Sequence, residues 1–221
     1  MSDTTEDAAP DNDLPELSPN AFLKLDAEPD DIFYAAPRFV THIDGNAIAA
    51  VTTLYRELFP AGGTILDLMS SWISHLPGDI AYSQVIGHGM NAQELKANPR
   101  LNHFFVQNLN ENHELPLDTD SIDGAAICVS IQYLQKPVAV LRELTRVLRG
   151  QGPVAITFSN RCFPTKAVAV WQALEDEAAH AKLVALYLDR AGFKNIEARA
   201  LVAGARGVDP LWAVVAQAPA D

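Results

Sequence analysis

The sequence is poor in cysteine, in basic residues and in long apolar runs, and each shortage excludes a class of protein. It holds 2 cysteines in 221 residues, Cys128 and Cys162, with no CxxC pair and no Cys/His spacing typical of zinc. No run reaches the roughly 18 apolar residues of a membrane-spanning helix. The first residues lack the basic and apolar regions of a signal peptide. We therefore expect a cytoplasmic protein with no metal site and no membrane association.

Positive charge is scarce and unevenly placed. The chain has 16 basic against 28 acidic residues, a formal net charge of -12, which disfavours binding to nucleic acid. Ten acidic residues fall within residues 1–31, where Lys24 is the one basic residue. Residues 1–20 also contain few apolar side chains, so we predict a disordered acidic tail whose deletion leaves thermal stability unchanged.

Residues 21–60 differ in character from the tail and from the rest of the chain. Apolar side chains recur at helical spacing from residue 47 to 58, after Asp44 or Asn46 as a cap, and residues 60–63 (PAGG) end the pattern. We predict an N-terminal helical segment that acts either as a lid over a substrate or as a cap that covers a sheet. The main domain is then residues 61–221.

Short apolar segments alternate with helical or loop segments along this main domain. The predicted strands are residues 64–69, 82–87, 104–106, 121–130 and 153–158, and the predicted helices are residues 91–98, 136–149 and 166–191. This alternation predicts an α/β domain with a parallel sheet. Two last strands, residues 193–203 and 211–218, have no helix between them and should pair antiparallel.

One segment carries a family resemblance. Residues 115–160 contain LPLDTDSIDG, then LREL, RVL and a glycine at fixed spacings before the fifth strand. The segment resembles the second half of a type 11 domain of the class I S-adenosylmethionine-dependent methyltransferases. The resemblance implies a Rossmann-like fold: a mostly parallel seven-stranded sheet with an antiparallel last strand and helices on both faces. It also implies S-adenosylmethionine as cofactor.

The first cofactor motif departs from the family. Asp67 at the end of the first strand fits the family's acidic residue, but Met69, Ser70 and Ser71 stand where the family has a glycine-rich turn. The resemblance still implies that these four residues contact the cofactor. A turn at Ser70 and Ser71 is predicted to hold the cofactor carboxylate at a helix N-terminus, although such serines are as often simple caps.

The second and third motifs depart as well. Gly87 ends the second strand and Gly89 follows it, and both are expected to contact the cofactor. Gly89 takes the position of the acid that usually binds the ribose; Asn91 or Glu94 are the possible substitutes. Asn108 aligns with the acid that binds the adenine amino group, and its amide oxygen is still an acceptor.

The resemblance implies further contacts at the same edge of the sheet. Cofactor contacts are expected at Leu109 and Ser130, and substrate contacts at Tyr34, Arg38, Tyr133, Asn160 and Arg161. Arg161 either binds an anionic group or forms a salt bridge within its loop. His42 and Tyr133 are the candidates for a general base.

The function predicted from these features is methyl transfer from S-adenosylmethionine to a small-molecule acceptor. The alternative is a methyltransferase-like domain without catalysis that serves as a binding or interaction module, because the glycines and the ribose acid are missing. A nucleotide-dependent oxidoreductase is disfavoured, because the first strand is not followed by GxGxxG.

Overall fold

The structure is a computed structural model that describes residues 13–220. Its helices are α1 (Asp30–Tyr34), α2 (Gly45–Leu58), α3 (Ala92–Ala97), α4 (Pro137–Val147), α5 (Ala169–Gln172) and α6 (Glu177–Ala191). Its strands are β1 (Thr64–Leu68), β2 (Gln84–Gly89), β3 (His103–Val106), β4 (Gly124–Cys128), β5 (Pro153–Ser159), β6 (Lys194–Val202) and β7 (Leu211–Gln217).

All seven strands form one sheet, in the order β3-β2-β1-β4-β5-β7-β6. The pairs among β1 to β5 are parallel, whereas β7 is antiparallel to both β5 and β6. Strands β1 and β4 are apolar and almost wholly buried, as expected for central parallel strands covered on both faces. The predicted fold class and the antiparallel pairing of the last two strands are confirmed.

Helices cover both faces of the sheet. Helix α2 begins at its cap Asp44, whose Oδ1 accepts a hydrogen bond from the Ala47 amide at 2.9 Å, and its face with Val51 and Leu54 is buried in one core cluster. Helices α4 and α6 pack against each other on the opposite face, where Leu141 and Val184 are fully buried. The sheet thus separates two apolar layers.

The predicted long helix over residues 166–191 is wrong. The chain forms the short α5, breaks, and restarts at α6, where the Asp176 carboxylate accepts the Ala179 amide at 2.7 Å. Residues 166–168 precede α5 and are not helical, because Val168 pairs with Lys24 of the N-terminal segment in an isolated antiparallel bridge. The Asp26 amide donates to the Thr165 carbonyl at 2.9 Å, and the Ala169 amide donates to the Leu23 carbonyl at 2.8 Å.

The predicted tail is also wrong for its last part. Leu14 is 3% exposed within the core cluster of α4 and α6, and Leu17 packs beside it. The Glu16 carboxylate pairs with Arg190 at 3.0 Å. Sparse apolar residues are enough to dock this segment, because a single buried leucine contributes about 2 kcal/mol. The prediction for residues 1–12 lies outside the described residues.

Candidate functional site

A cavity of about 360 Å³ lies at the carboxyl ends of the parallel strands, the usual place for ligands in an open α/β sheet. The ends of β1, β2 and β4 and the segment after β3 form its floor, and residues from Asp30 to Ile43 form its roof. We call residues 30–43 the roof segment. Helix α2, which follows this segment, covers the sheet. That residues within 21–60 act as a lid over a substrate stays a prediction.

Most of the predicted site residues line this cavity. They are Tyr34, Arg38, His42, Asp67, Met69, Ser70, Ser71, Gly89, Asn91, Asn108, Leu109, Ser130, Tyr133 and Arg161. Gly87 and Asn160 do not. A Cβ at Gly87 would lie 2.3 Å from the Leu101 side chain, so this glycine makes room for core packing. Asn160 is exposed beyond the end of β5. We drop both residues as ligand contacts.

Asp67 is the best-defined polar group of the cavity. It is 5% exposed at the end of β1, and its Oδ2 accepts hydrogen bonds from Ser70 Oγ at 2.6 Å and from Ser74 Oγ. Burial raises the pKa of this carboxyl, and the two serine hydroxyls oppose that rise. The other oxygen, Oδ1, makes no hydrogen bond to any described residue. One carboxylate oxygen is therefore available to a donor in the cavity.

The turn after β1 is not the start of a helix, so the predicted helix N-terminus at Ser70 and Ser71 is wrong. No helix forms between β1 and β2. The serine hydroxyls compete with the helical backbone for hydrogen bonds, and Pro77 and Gly78 interrupt the segment. Met69 adopts a left-handed φ of 58°, the conformation that a glycine would adopt at lower cost.

His88 on β2 holds this turn in place, a role that its sequence position did not indicate. Its Nδ1 accepts the Met69 amide at 3.1 Å, which assigns the proton to Nε2 for donation to the Gln107 carbonyl at 2.9 Å. The His88 carbonyl accepts the Ser70 amide at 2.6 Å. Burial lowers the pKa of His88 to about 4, so the ring is neutral at pH 7 and links the ends of three strands.

Gly89 explains why the usual ribose acid is missing. A Cβ at this position would lie 2.5 Å from the Ser70 carbonyl oxygen, so any side chain collides with backbone. The two suggested substitutes have other partners. Asn91 caps α3 and donates from Nδ2 to the Tyr34 carbonyl at 2.9 Å. Glu94 accepts the Arg38 amide at 2.6 Å and the Ser71 hydroxyl at 2.5 Å. Both residues tie the roof segment to the floor.

The segment after β3 carries a bridging residue that sequence reasoning missed. Asn110 donates from Nδ2 to Asp30 Oδ2 at 2.9 Å and to the Tyr133 carbonyl at 3.0 Å. Nothing in the local sequence marked it, because it lies in a run of polar loop residues. Its neighbour Asn108 stabilises the same loop by accepting the Asn110 amide at 3.1 Å.

The end of β4 is strained and carries a polar group without a partner. Val129 has a φ of 46°, which is rare for a β-branched residue and occurs most often at functional sites. Ser130 follows it, is 8% exposed, and has an Oγ without a hydrogen bond among the described residues. Cys128, before the strained residue, is a poor nucleophile because burial raises its pKa to about 12.

The roof side of the cavity is aromatic. The Arg38 guanidinium stacks over the rings of Phe33 and Phe163, at 4.4 and 5.4 Å from their centroids. The Tyr133 hydroxyl accepts the Phe163 amide at 2.9 Å, and burial raises the pKa of this tyrosine. His42 lies against Phe163, with ring centroids 5.5 Å apart, and burial lowers its pKa.

Comparison with known proteins shows which protein family this chain resembles. A family model described as a methyltransferase domain matches residues 72–156. The chain carries a class I methyltransferase fold. The resemblance to class I S-adenosylmethionine-dependent methyltransferases is thus confirmed. No curated protein is detectably similar in sequence to this chain.

Solved structures share this methyltransferase fold at low sequence identity. A SAM-dependent methyltransferase from Aquifex aeolicus is 17% identical with a TM-score of 0.55, over 78% of this chain and 91% of that one. Phosphoethanolamine N-methyltransferase 2 of Haemonchus contortus, in complex with S-adenosyl-L-methionine, is 13% identical with a TM-score of 0.54, over 77% and 52%. The 4+2 cyclase SpnF is 14% identical with a TM-score of 0.57, over 77% and 81%.

Among the described residues, no helix is both long enough and apolar enough to cross a membrane.

Proposed function

We propose that the protein binds S-adenosylmethionine in this cavity and transfers its methyl group to a small-molecule acceptor. The observation that carries the proposal is Asp67 at the end of β1, with Oδ2 fixed by two serine hydroxyls and Oδ1 available. A carboxylate oxygen in that state suits a charged donor, and the cofactor's methionine end carries an ammonium group.

The remaining residues fit most of the cofactor. We assign Met69, Ser70 and Ser71 to its methionine end, and Asn108 and Leu109 to its adenine. Asn108 keeps a free lone pair on its amide oxygen, and the Ser130 hydroxyl lacks a partner until a ligand supplies one. The ribose has no acid at Gly89, so we assign it to Asn91 and Glu94, which would bind it in addition to their contacts with the roof segment.

When bound, the cofactor supplies a methyl group that is already activated on a sulfonium. The chain then contributes position rather than covalent chemistry, and orientation alone lowers such a barrier by up to roughly 7–11 kcal/mol. The roof segment is held over the cavity, because Asn91 and Glu94 bind its backbone at Tyr34 and Arg38.

Of the two candidates for a general base, His42 suits the task better. Its lowered pKa favours the neutral ring, which is the form that accepts a proton from the acceptor. Tyr133 has a raised pKa, so its phenolate is not populated at pH 7. We therefore assign the base to His42 and a binding role to Tyr133.

Calorimetric titration of the full chain with S-adenosylmethionine, S-adenosylhomocysteine and NADH tests the cofactor. We expect saturable binding of the first two and none of NADH. A ligand at 100 times its dissociation constant should also add about 2.7 kcal/mol to the free energy of unfolding. Binding of NADH alone would overturn the proposal.

One structural feature favours the alternative of a non-catalytic binding module. No helix follows β1, so the cofactor carboxylate lacks the helix N-terminus that usually stabilises it. Absence of cofactor binding in the titration would support this alternative. We further propose that the protein acts in the cytoplasm on a soluble small molecule, without nucleic acid.

A further inference from the structure

The roof segment places one cation in the cavity without a counter-ion. Arg38 lines the cavity, and no carboxylate among the described residues lies within ion-pair distance of its guanidinium. Its Nη2 donates to the Phe33 carbonyl at 2.8 Å, but its Nη1 is buried and has no hydrogen-bond partner among those residues. A buried charged donor left unsatisfied is costly, which favours an anionic partner from outside the chain.

The second arginine of the cavity is different. Arg161 binds Asp209 through Nε at 2.8 Å, and its side chain is 63% exposed. Its charge is therefore compensated, and the expectation that it holds an anionic substrate group is replaced by the loop salt bridge. Arg38 is left as the anion-binding group.

Three aromatic rings pack around the Arg38 guanidinium and restrict its movement. Rings of Phe33, Phe163 and Tyr34 lie 4.4, 5.4 and 5.8 Å from its guanidinium carbon. A guanidinium packed in this way loses little conformational entropy when it binds a ligand. Two of these rings, Tyr34 and Phe163, line the cavity and offer surface to an apolar or aromatic ligand body.

The charges around Arg38 favour a single negative charge on the ligand. Glu94 lies close by, since it accepts the Arg38 amide at 2.6 Å, and the pKa of His42 is lowered by partial desolvation. Asp30 is compensated by Lys24 at 2.6 Å. One uncompensated positive charge beside a carboxylate suits a monoanion better than a phosphate ester, which carries about -1.5 to -2.

We propose that the acceptor is a small, largely apolar carboxylate whose carboxyl group binds Arg38. The role of acceptor rests on the proposed methyl transfer, whereas the binding of the carboxylate itself does not. The reacting group of the acceptor is then a separate hydroxyl or amine, which loses its proton to His42 as its bond to the methyl carbon forms and the bond from that carbon to sulfur breaks. His42 follows Arg38 by four residues and contacts the same ring, Phe163.

The test compares carboxylates with their uncharged amides. Benzoate, phenylacetate and cinnamate, with the three matching amides and phenyl phosphate, are titrated by NMR into the full chain, with and without S-adenosylhomocysteine. We expect at least one carboxylate to bind, its amide to bind at least tenfold more weakly, and phenyl phosphate to bind more weakly than the carboxylate.

Arginine variants test whether Arg38 is the group that binds the carboxylate. Arg38→Gln should weaken carboxylate binding about 10- to 150-fold, the loss of a charge-assisted hydrogen bond, while Arg38→Lys should retain part of it. Arg161→Gln is the matched control and should bind the carboxylate like the unmutated chain. Unchanged far-UV spectra show that the variants fold.

The inference is overturned if no carboxylate binds, if amides bind equally well, if phenyl phosphate binds more tightly, or if Arg161→Gln weakens binding as much as Arg38→Gln. Its failure is distinct from failure of the proposed function. If S-adenosylhomocysteine binds and no carboxylate binds, this inference alone is overturned. If a carboxylate binds and S-adenosylhomocysteine does not bind, the proposed methyl transfer is overturned and the Arg38 site remains supported.

Discussion

The ammonium nitrogen of Lys166 lies 3.1 Å from a carboxylate oxygen of Asp26, a residue 140 positions earlier in the chain. Lys166 is fully buried, donates to the Glu28 carbonyl at 2.7 Å, and lies 3.4 Å from Asp30. This buried cluster fixes the start of the roof segment to the connection between β5 and α5. The cavity therefore depends on an ionic contact distant from it in sequence.

Substitution of the buried lysine should destabilise the protein. Lys166→Met leaves the buried carboxylate of Asp30 with fewer partners, so we expect a loss of about 3–5 kcal/mol in the free energy of unfolding by urea titration. Limited proteolysis should also cleave residues 21–43 faster. Arg56→Met is the control: its ion pair with Asp79 is exposed, and its loss should cost at most about 1 kcal/mol. Equal effects of the two substitutions would contradict this account.

Removal of the charge at Asp67 should weaken the cofactor and spare the fold. Asp67→Asn keeps the size of the side chain but loses a charge-assisted hydrogen bond, so the dissociation constant for S-adenosylhomocysteine should rise about 10- to 150-fold by calorimetry. Asp79→Asn, far from the cavity and exposed, should leave it unchanged. Unaltered binding by Asp67→Asn would place the ligand elsewhere.

The missing ribose acid cannot be restored at its usual position. Gly89→Asp should lower the free energy of unfolding by about 1–3 kcal/mol and not improve cofactor binding, because the new Cβ meets the Ser70 carbonyl at 2.5 Å. Gly87→Ala should cost less, since its contact is a leucine side chain that can rotate. A stable Gly89→Asp variant with tighter cofactor binding would refute the steric explanation.

His88 should make stability fall in mildly acidic solution. Its pKa is about 4 in the folded chain and about 6.5 when exposed, so between these values the unfolded state binds more protons. The free energy of unfolding should therefore decrease as pH falls from 6.5 to 4, by roughly 3 kcal/mol in total from this group. Urea titrations at pH 7.5, 5.5 and 4.5 measure it. His88→Gln should flatten the decrease, and an equally steep decrease in that variant would contradict this assignment.

The docked residues before position 21 should contribute to stability. Leu14→Ala removes a side chain buried in the main core and should cost about 2–5 kcal/mol. Deletion of residues 1–20 should lower the melting temperature for the same reason. Deletion of residues 1–12 keeps Leu14 and Leu17 and should have a smaller effect. If both deletions melt like the full chain, the burial of Leu14 does not matter energetically.

Local sequence patterns were sufficient for the architecture of this protein. Apolar strands such as β1 and β4 are recognisable because parallel strands are buried on both faces, and the loop before β7 lacks a crossover helix, so an antiparallel end follows. Asp67 was identifiable because the carboxyl end of a central strand is where ligands bind in such sheets.

Only the tertiary structure decided which residues are buried, which arginine is paired with a carboxylate, and which glycine contacts another part of the backbone. Lys166 and Leu14 are buried by partners far away in sequence, and no local periodicity encodes those contacts. Arg161 and Arg38 are alike in sequence, yet one has Asp209 beside it and the other has no described carboxylate within ion-pair distance. The contact between Gly89 and Ser70 follows from two strands that pair side by side. Such pairings depend on where distant segments meet in space, which a single sequence does not specify locally.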